Sequence, residues 1–234
     1  MRNCLGCGSF VEPVLDFGDM PIANGFLRED EFKSESSFPL SVGFCTECAL
    51  VQLTQVIDPS KLFHEEYAFF ASTSVRMREH FSRFAGQVSG LISGLADPFV
   101  VEIGSNDGIM LRNFAESGVL HLGVEPSENV AEEARRNGVN TRCSFFGLDV
   151  AREILAEHGP ANAVLGANVF SHIKDIHSVF GGIKELLTDD GVFVFEEPYV
   201  GEVVAKTAYD QFYDEHVFYF CLSSLDNLFA RHGL

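Results

Sequence analysis

The segment FVVEIGSNDG, residues 99–108, constrains the fold more than any other part of the chain. An apolar run reaches a glutamate and then breaks into a glycine-containing turn, after which three apolar residues begin a helix. This order is typical of the first strand, loop and helix of a nucleotide-binding α/β domain. Gly104 and Gly108 let the backbone pass close to a ligand, and Asn106 and Asp107 place short polar groups at the carboxyl end of the strand. We therefore predict a cofactor site at this loop.

The loop also narrows the choice of cofactor. GSNDGIM lacks the GxGxxG spacing that seats a pyrophosphate, so a dinucleotide is disfavoured. Glu102 and Asp107 suit a cationic ligand such as S-adenosylmethionine, which carries a sulfonium and an ammonium group. Glu125 ends the next predicted strand, where an acid can accept both ribose hydroxyls. A purely structural glycine turn is the alternative for each signal taken alone.

Strands and helices alternate through the rest of the C-terminal sequence. We expect helices at 75–95, 128–137, 150–158 and 176–187, and strands after the first at 120–125, 140–145, 163–167 and 191–194. This alternation predicts an α/β domain with a mainly parallel sheet. Asn168 and His172 follow the fourth strand and are expected at the same carboxyl edge as Asp107 and Glu125.

Four of the six cysteines form two CxxC pairs, Cys4 with Cys7 and Cys45 with Cys48. Two such turns bring four thiolates to one tetrahedral ion, the closed coordination typical of structural zinc. A pair of redox dithiols and simple coincidence are the alternatives. The segment between the pairs is rich in proline and short apolar runs, which predicts a small β-rich unit nucleated by metal. The other two cysteines, Cys143 and Cys221, are expected in the core.

Composition excludes several classes of function. The chain has 34 acidic against 16 basic residues and a formal charge of -18, so its field repels a polyanion and no nucleic-acid partner is expected. The N-terminus has no apolar signal region, and no stretch approaches the ~20 apolar residues that span a bilayer. We therefore predict a cytoplasmic protein with reduced thiols and no membrane partner.

The segment YDQFYDEHVFYF, residues 209–220, combines six aromatic residues with Asp214, Glu215 and His216. A core strand would not carry three titratable groups in succession, and a solvated loop would not carry so many rings. The pattern predicts a semi-buried site in which an imidazole is held by a carboxylate and phenols. A histidine buried in a helix contact is the alternative. Tyr67, in another aromatic segment, fits packing as well as function.

Taken together, the motifs resemble one family. The CxxC pairs, EYAFFASTSVRMREHF, VVEIGSNDGIML, GVEPS, GANVFSHI and YDEHVFYF occur in this order in the sugar C-methyltransferases of antibiotic and surface-polysaccharide biosynthesis. Members of that family act on nucleotide-linked 4-keto deoxysugars. The resemblance extends along essentially the whole chain, and the cysteine pairs and YDEHVFYF are far more specific to it than the cofactor loop.

The resemblance implies a class I S-adenosylmethionine-dependent methyltransferase fold, Rossmann-like, preceded by a zinc-binding β-rich domain. It implies domains at 1–60 and 96–234 joined by a helical connection at 61–95, with a C-terminal part missing, because related enzymes continue beyond LFARHGL. We expect the sheet edge left in this way to pair with another copy of the chain or with a missing C-terminal domain.

The resemblance also assigns residues to three groups. The zinc ligands are Cys4, Cys7, Cys45 and Cys48. The cofactor loop comprises Glu102, Gly104, Asn106 and Gly108, with Glu125 on the ribose; Asp107 and Asn168 join this set by their place at the strand ends. The sugar pocket comprises Tyr67, His172, Tyr213, Glu215 and His216, with His216 as the general base.

The chemistry of a carbon nucleophile agrees with these residues. Methylating carbon requires loss of a proton, which a neighbouring ketone makes acidic. Our hypothesis is that His216, oriented by Glu215, removes the proton alpha to the 4-keto group, and that the enolate carbon attacks the sulfonium methyl. Tyr213, Tyr67 or His172 would donate to the enolate oxygen or hold the sugar. The alternatives are an RNA or small-molecule methyltransferase with a zinc knuckle and a non-catalytic binding module with this fold.

Overall fold

The computed structural model describes residues 3–23, 26–58 and 69–234. Strands in these residues are β1 (Glu12–Pro21), β2 (Ser37–Phe44), β3 (Val51–Leu53), β4 (Phe99–Ile103), β5 (Leu120–Glu125), β6 (Thr141–Cys143), β7 (Ala161–Ala167), β8 (Leu187–Glu196) and β9 (Phe218–Tyr219). Helices are α1 (Val75–Leu91), α2 (Leu111–Glu116), α3 (Glu128–Arg136), α4 (Leu148–His158), α5 (Ile176–Leu186), α6 (Val200–Lys206) and α7 (Leu222–Ala230). Short 3-10 turns lie at Glu29–Ser34, Ala71–Thr73, Phe170–His172 and Tyr209–Gln211.

These elements fall into two compact units. The first, here called the cysteine unit, contains the described residues of 1–62 together with 170–176 and 197–234. The second, the parallel unit, contains the described residues of 63–169 together with 177–196. In this division the C-terminal segment 197–234 belongs with the N-terminal one. The predicted domain boundaries stay a prediction.

The cysteine unit is built on an antiparallel sheet with strand order β1-β2-β3-β9. The last strand comes from the far end of the sequence, where Phe218 pairs with Gln52 and Tyr219 with Val51. A small core forms where Val42 and Leu53 meet Val200 and Tyr219. The predicted β-rich N-terminal unit is therefore present, and a C-terminal strand completes its sheet.

The parallel unit contains a five-stranded sheet with order β6-β5-β4-β7-β8. All four pairings are parallel, as the alternation of elements predicts. The central strand β4 is buried along its whole length because it has a strand on each side and helices over its faces. Phe81, Phe84 and Val88 of α1 belong to the same core, which explains the apolar spacing of that helix.

Element boundaries differ from the predictions by a few residues. The third predicted strand, 140–145, is reduced to β6, because this edge strand pairs only with β5 and the pairing stops where β5 ends at Glu125. The first helix ends at Leu91 rather than at residue 95, and Gly94 follows it with a φ of 91°. The carboxyl ends of β4, β5 and β7 still bring the predicted loop residues to one edge of the sheet.

Two further observations concern cysteines and membranes. The expectation of core positions is wrong for Cys143, which is exposed at the end of β6, while Cys221 is half-buried. An edge strand has solvent on one side, so its last side chain need not be covered. None of the helices in the described residues combines the length and the apolar character needed to cross a membrane.

Candidate functional site

The four cysteines of the CxxC pairs converge in the cysteine unit. Their sulfur atoms all lie within 4.8 Å of one another. Cys4 Sγ is 3.5 Å from Cys48 Sγ, and Cys7 Sγ is 3.4 Å from Cys45 Sγ. A tetrahedral zinc ion with Zn–S bonds near 2.3 Å holds its sulfurs about 3.8 Å apart, so the cluster has the size of a zinc site.

The two CxxC turns have the same local geometry. The backbone N–H of Gly8 donates to the carbonyl of Cys4 at 2.8 Å, and that of Ala49 donates to the carbonyl of Cys45 at 2.9 Å. The residue after each second cysteine has a positive φ, 81° at Gly8 and 59° at Ala49. A glycine adopts this conformation freely, whereas an alanine pays a steric cost that the surrounding contacts offset.

The thiols fit a cation because two of the four are poorly placed to carry a charge without one. Burial raises the pKa of Cys4 to about 11 and raises that of Cys48 further. For Cys7, burial is outweighed by hydrogen bonds, chiefly from Ser9, and the pKa falls to about 7. A bound cation deprotonates coordinating thiols and would remove the cost of ionising the buried pair.

Two glycines shape the predicted cofactor loop in the parallel unit. Gly104 has a φ of 66° and Gly108 a φ of 79°, both in the left-handed region that glycine tolerates. A Cβ on Gly104 would lie 2.5 Å from Val169, and one on Gly108 would lie 2.8 Å from Val139. Both positions therefore require glycine for conformation and for space.

Glu125 organises this loop through its carboxylate. Its Oε2 accepts the backbone N–H of Asn106 at 2.9 Å, and its Oε1 accepts that of Ser127 at 2.9 Å. Burial raises the pKa of Glu125, although these two hydrogen bonds and the Ser127 hydroxyl oppose the shift. The acid predicted to hold a ribose thus also links the ends of two neighbouring strands.

Glu102 lies within the central strand and is only 3% exposed. Burial, and then the nearby charges of Glu125 and Asp107, raise its pKa well above the usual range. Among the described residues its Oε2 is buried and accepts no hydrogen bond. A cluster of buried acids with an unused acceptor fits a ligand that brings positive charge and N–H or O–H donors, as S-adenosylmethionine does.

Asn106 and Asp107 also bind the segment that precedes α1. The side-chain oxygen of Asn106 accepts the backbone N–H of Ala71 at 2.9 Å, and its amide nitrogen donates to the carbonyl of Phe69 at 3.1 Å. The carboxylate of Asp107 accepts the N–H of Ser72 at 3.0 Å. The sequence motif containing 69–72 predicted no such role, because side chain to backbone contacts over this distance leave no periodic signal.

Asn168 lies at the end of β7, where its N–H donates to the carbonyl of Glu196 at 2.7 Å and its φ is 54°. Its side chain is exposed. Glu196 also accepts a hydrogen bond from His80 of α1, at 2.8 Å. The predicted cofactor role of Asn168 stays a prediction.

In the cysteine unit, Tyr213 and His216 form a hydrogen-bonded pair. The Tyr213 hydroxyl is 2.9 Å from His216 Nε2, and His216 Nδ1 is 3.2 Å from the carbonyl oxygen of Gln211. Because a carbonyl can only accept, Nδ1 carries the proton and Nε2 presents a lone pair. Burial lowers the pKa of His216 to about 4, so the imidazole is neutral near pH 7.

His172 and Glu215 lie beside this pair. His172 Nδ1 is 3.7 Å from Glu215 Oε2, and the His172 and His216 rings meet edge to face at 4.8 Å. Asp214, Glu215 and His216 are all buried, as predicted for the aromatic segment. The structure thus brings together four of the five residues predicted for the sugar pocket, while Tyr67 lies outside the described residues.

Two residues support this group without having been predicted from the sequence, and Asp214, which was named in the aromatic segment, had no role assigned to it. Gln211 orients His216 through its carbonyl, a role that the hypothesis gave to Glu215. Glu197 Oε1 accepts the N–H of Phe170 at 2.5 Å and so holds the turn that carries His172. Asp214 accepts the N–H of Ala23 at 3.1 Å. Contacts to backbone groups depend on the fold rather than on residue type, so no motif revealed them.

Two known protein families match successive parts of the chain. Residues 4–63 match the family described as "Putative zinc binding domain", and residues 74–234 match the family described as "Methyltransferase domain". The chain belongs to the methyltransferase family. The predicted methyltransferase family, its S-adenosylmethionine cofactor and the four-cysteine metal site are thereby confirmed.

A curated relative agrees with the predicted resemblance. C-methyltransferase NovU of Streptomyces niveus is 40% identical over 223 residues, which cover 94% of this methyltransferase and 53% of the relative. The chain therefore spans about half the length of the curated relative that it matches.

Solved structures support the fold. A SAM-dependent methyltransferase from Archaeoglobus fulgidus has a TM-score of 0.54 at 14% identity, covering 67% of this chain and 68% of its own. The plantazolicin methyltransferase BpumL in complex with SAH has a TM-score of 0.51 at 13% identity, covering 64% and 61%. At such identities the likeness establishes the class I methyltransferase fold and nothing finer.

Proposed function

We propose that this methyltransferase transfers a methyl group to a carbon alpha to the 4-keto group of a nucleotide-linked deoxysugar. The observation that carries the proposal is the buried group of Tyr213, His216, His172 and Glu215, which is equipped to remove a proton and to stabilise the anion that forms. The name of the relative, C-methyltransferase NovU, supports carbon as the acceptor.

We assign cofactor binding to the loop of the parallel unit. S-adenosylmethionine, when bound, supplies an electrophilic methyl group. Glu125 would accept the ribose hydroxyls, and the buried acids Glu102 and Asp107 would favour the positively charged part of the cofactor. The backbone at Gly104 and Gly108 has no side chain to obstruct a ligand. Asn168, at the neighbouring strand end, is assigned to the same site.

His216 is the proposed general base. Its Nε2 holds the lone pair and already accepts the Tyr213 hydroxyl, so we assign a relay through that hydroxyl. The sugar C–H bond breaks, its proton passes to the Tyr213 oxygen, and the Tyr213 proton passes to Nε2 of His216. The electron pair of the C–H bond is left in the enolate, whose carbon would take the methyl group of the cofactor as the methyl–sulfur bond breaks and its electron pair stays on sulfur. Gln211 keeps the accepting nitrogen in place by binding the other one.

His172 is assigned to the enolate oxygen, and Glu215 is assigned to His172. An enolate carries its negative charge largely on oxygen, where a positioned N–H donor lowers its energy. Glu215 lies 3.7 Å from His172 Nδ1, and its negative charge would favour the imidazolium form of His172, which can donate through Nε2. Tyr67 is proposed as a further sugar contact.

A reducing compartment, the cytoplasm, suits the six cysteines, all of which are free thiols here.

A methyltransferase acting on a different small molecule is the second candidate, since the same proton-removing group would serve any acidic C–H bond. RNA is a weaker candidate because the formal charge of -18 opposes a polyanion. A non-catalytic binding module would have little need for a buried Tyr213 and His216 pair with an oriented lone pair.

The test is mass spectrometry of a nucleotide-linked 4-keto deoxysugar incubated with the protein and deuteriomethyl adenosylmethionine. A labelled methyl group on a sugar carbon is the expected product. The same sugar is incubated in heavy water without cofactor, where exchange of the alpha proton would report the base alone. Absence of both signals with intact, metal-loaded protein would contradict the proposal.

A further inference from the structure

One buried side chain of the cysteine unit forms a hydrogen bond with the first CxxC turn. It belongs to the strand that pairs with the segment after His216, the proposed base. Gln52 is fully buried in β3. Its Oε1 accepts the backbone N–H of Leu5 at 2.8 Å, and its Nε2 donates to the carbonyl of Leu53 at 3.2 Å. Leu5 lies between Cys4 and Cys7 in the first CxxC turn, so the Gln52 amide fixes that turn to the sheet.

The second CxxC turn joins the same strand through the backbone. The N–H of Cys45 donates to the carbonyl of Leu50 at 2.9 Å, one residue before β3 begins. Both cysteine turns therefore attach to one three-residue strand, the first through the Gln52 side chain and the second through the main chain.

The other edge of β3 pairs with the segment that follows His216. Gln52 pairs with Phe218, Val51 pairs with Tyr219, and the N–H of Leu53 donates to the carbonyl of Val217 at 2.8 Å. Val217 and Phe218 are buried, so this segment cannot shift without disturbing the core. We call the contacts from Leu5 through residues 51–53 to 217–219 the β3 link.

We infer that Gln52 is a positioning residue that couples the metal site to His216 through the β3 link. The inference rests on the role proposed for His216. A strand fixes its neighbour in register, and a slip of one residue would turn alternate side chains to the opposite face. The metal then has a function beyond stability, because it sets the position of the strand against which the base-carrying segment is aligned.

The amide chemistry of Gln52 makes the inference testable. The Gln52 amide must accept from the N–H of Leu5 with its oxygen and donate to the carbonyl of Leu53 with its nitrogen, so both groups are needed and each has a fixed orientation. Gln52→Met keeps a similar volume and offers neither function, while all four cysteines remain. Asn162→Ala is the matched control, since Asn162 Oδ1 likewise accepts a backbone N–H, that of Phe99 at 2.9 Å, but in the parallel unit.

The experiment measures metal content, cofactor affinity, methylation rate and the ring-nitrogen NMR signals of His216, assigned by their loss in His216→Asn. We expect Gln52→Met to keep its metal and cofactor affinity, to shift the His216 signals, and to lower the rate about tenfold. The control should leave the His216 signals unchanged. The inference would be overturned if Gln52→Met left the His216 signals and the methylation rate unchanged. It would also be overturned if the signals and the rate changed only because the variant had lost its metal.

A second measurement on the wild-type chain protects the test against a variant that does not fold. Cadmium in place of zinc keeps four thiolates but enlarges the cluster, which displaces the first CxxC turn. Through the β3 link, the amide signals of Leu5 and Val217 and the ring signals of His216 should then shift together. A shift at Leu5 alone would overturn the inference. These signals need no turnover, so they stay informative even if the sugar substrate fails.

Discussion

The two units of this chain are stabilised in different ways. In the parallel unit, every residue of the central strand β4 is buried, and helix α1 packs onto the same apolar core. In the cysteine unit, the ten-residue strand β1 has no buried residue, and the core is small. A metal ion held by the four converging sulfurs would compensate there for apolar area that the sheet does not supply.

The difference also separates the two halves of the proposed chemistry. The parallel unit offers a glycine loop and buried acids that suit a cofactor, and the cysteine unit offers an imidazole and a phenol that suit proton transfer. We therefore expect changes in one unit to alter one partial function and to spare the other. The predictions below use this expectation, from the largest effect to the smallest.

Metal removal should have the largest effect. Structural zinc contributes an apparent ~10–16 kcal/mol in small domains, so chelation or Cys48→Ser should unfold the cysteine unit. Cofactor binding by the parallel unit should persist. Hydrogen exchange resolved by peptide, together with calorimetric titration of the cofactor, checks both statements. Cys143→Ser, which changes an exposed cysteine outside the cluster, is the control. If metal removal unfolded the cysteine unit and also abolished cofactor binding by the parallel unit, the expected independence of the two units would be contradicted.

His216→Asn should abolish most of the methylation activity. Positioned general bases contribute about 10²–10⁴-fold in rate, and asparagine cannot accept the proton. Cofactor affinity should not change, because the residue belongs to the cysteine unit. Steady-state rates and cofactor titration measure the two effects separately. His158→Asn, at the end of α4 in the parallel unit, should retain the full rate. A His216→Asn protein with wild-type turnover would refute the base assignment.

Acid should destabilise the cysteine unit through His216. Its folded pKa of about 4 lies below the ordinary value of 6.5, so the unfolded chain binds the proton first. The contribution of His216 to the free energy of unfolding is complete above pH 6.5. It declines as the pH falls toward 4, by about 3 kcal/mol in all. Denaturant unfolding at several pH values, wild type against His216→Asn, isolates the effect. Parallel pH profiles for the two proteins would contradict the assignment.

Gly104→Ala should have a smaller effect, confined to the parallel unit. The substitution costs about 1–2 kcal/mol for a left-handed alanine, and Val169 must also move. We expect weaker cofactor binding and an unaltered metal content, measured by titration and metal analysis. Gly118→Ala is the control, because Gly118 has a similar φ of 72° with no atom within 4 Å of the new Cβ. Equal cofactor affinity in both variants would show that the loop tolerates a side chain.

Sequence reasoning was most successful where a pattern is local. The strand and glycine loop at 99–108 with the helix that follows them, the alternation that gives a parallel sheet, and the two CxxC turns are short-range signals, and each is present in the structure. Boundaries were less accurate at β6, since the length of an edge strand depends on where its neighbour ends. The exposure of Cys143 follows from the same edge position.

The partners of the site residues could not be read in the same way. The main-chain carbonyl of Gln211 supports His216, and Glu197 holds the turn that carries His172 by accepting a main-chain N–H. Every residue type has such main-chain groups. Asp107 was predicted to face a cofactor, and the structure shows its carboxylate also accepting the N–H of Ser72. These contacts depend on backbone positions fixed by packing, which leave no trace in residue spacing.

By itself, the sequence determined the chemical groups of this protein: four thiols at zinc spacing, a glycine loop after a buried strand, and an aromatic segment with adjacent acid and imidazole. Only the tertiary structure decided which segments share a unit. It placed β9 beside β3, 166 residues apart at Gln52 and Phe218, and so joined the segment that follows His216 to the strand that contacts the first CxxC turn. Pairing between distant strands depends on the burial and hydrogen bonding of the whole sheet, and no local pattern specifies it.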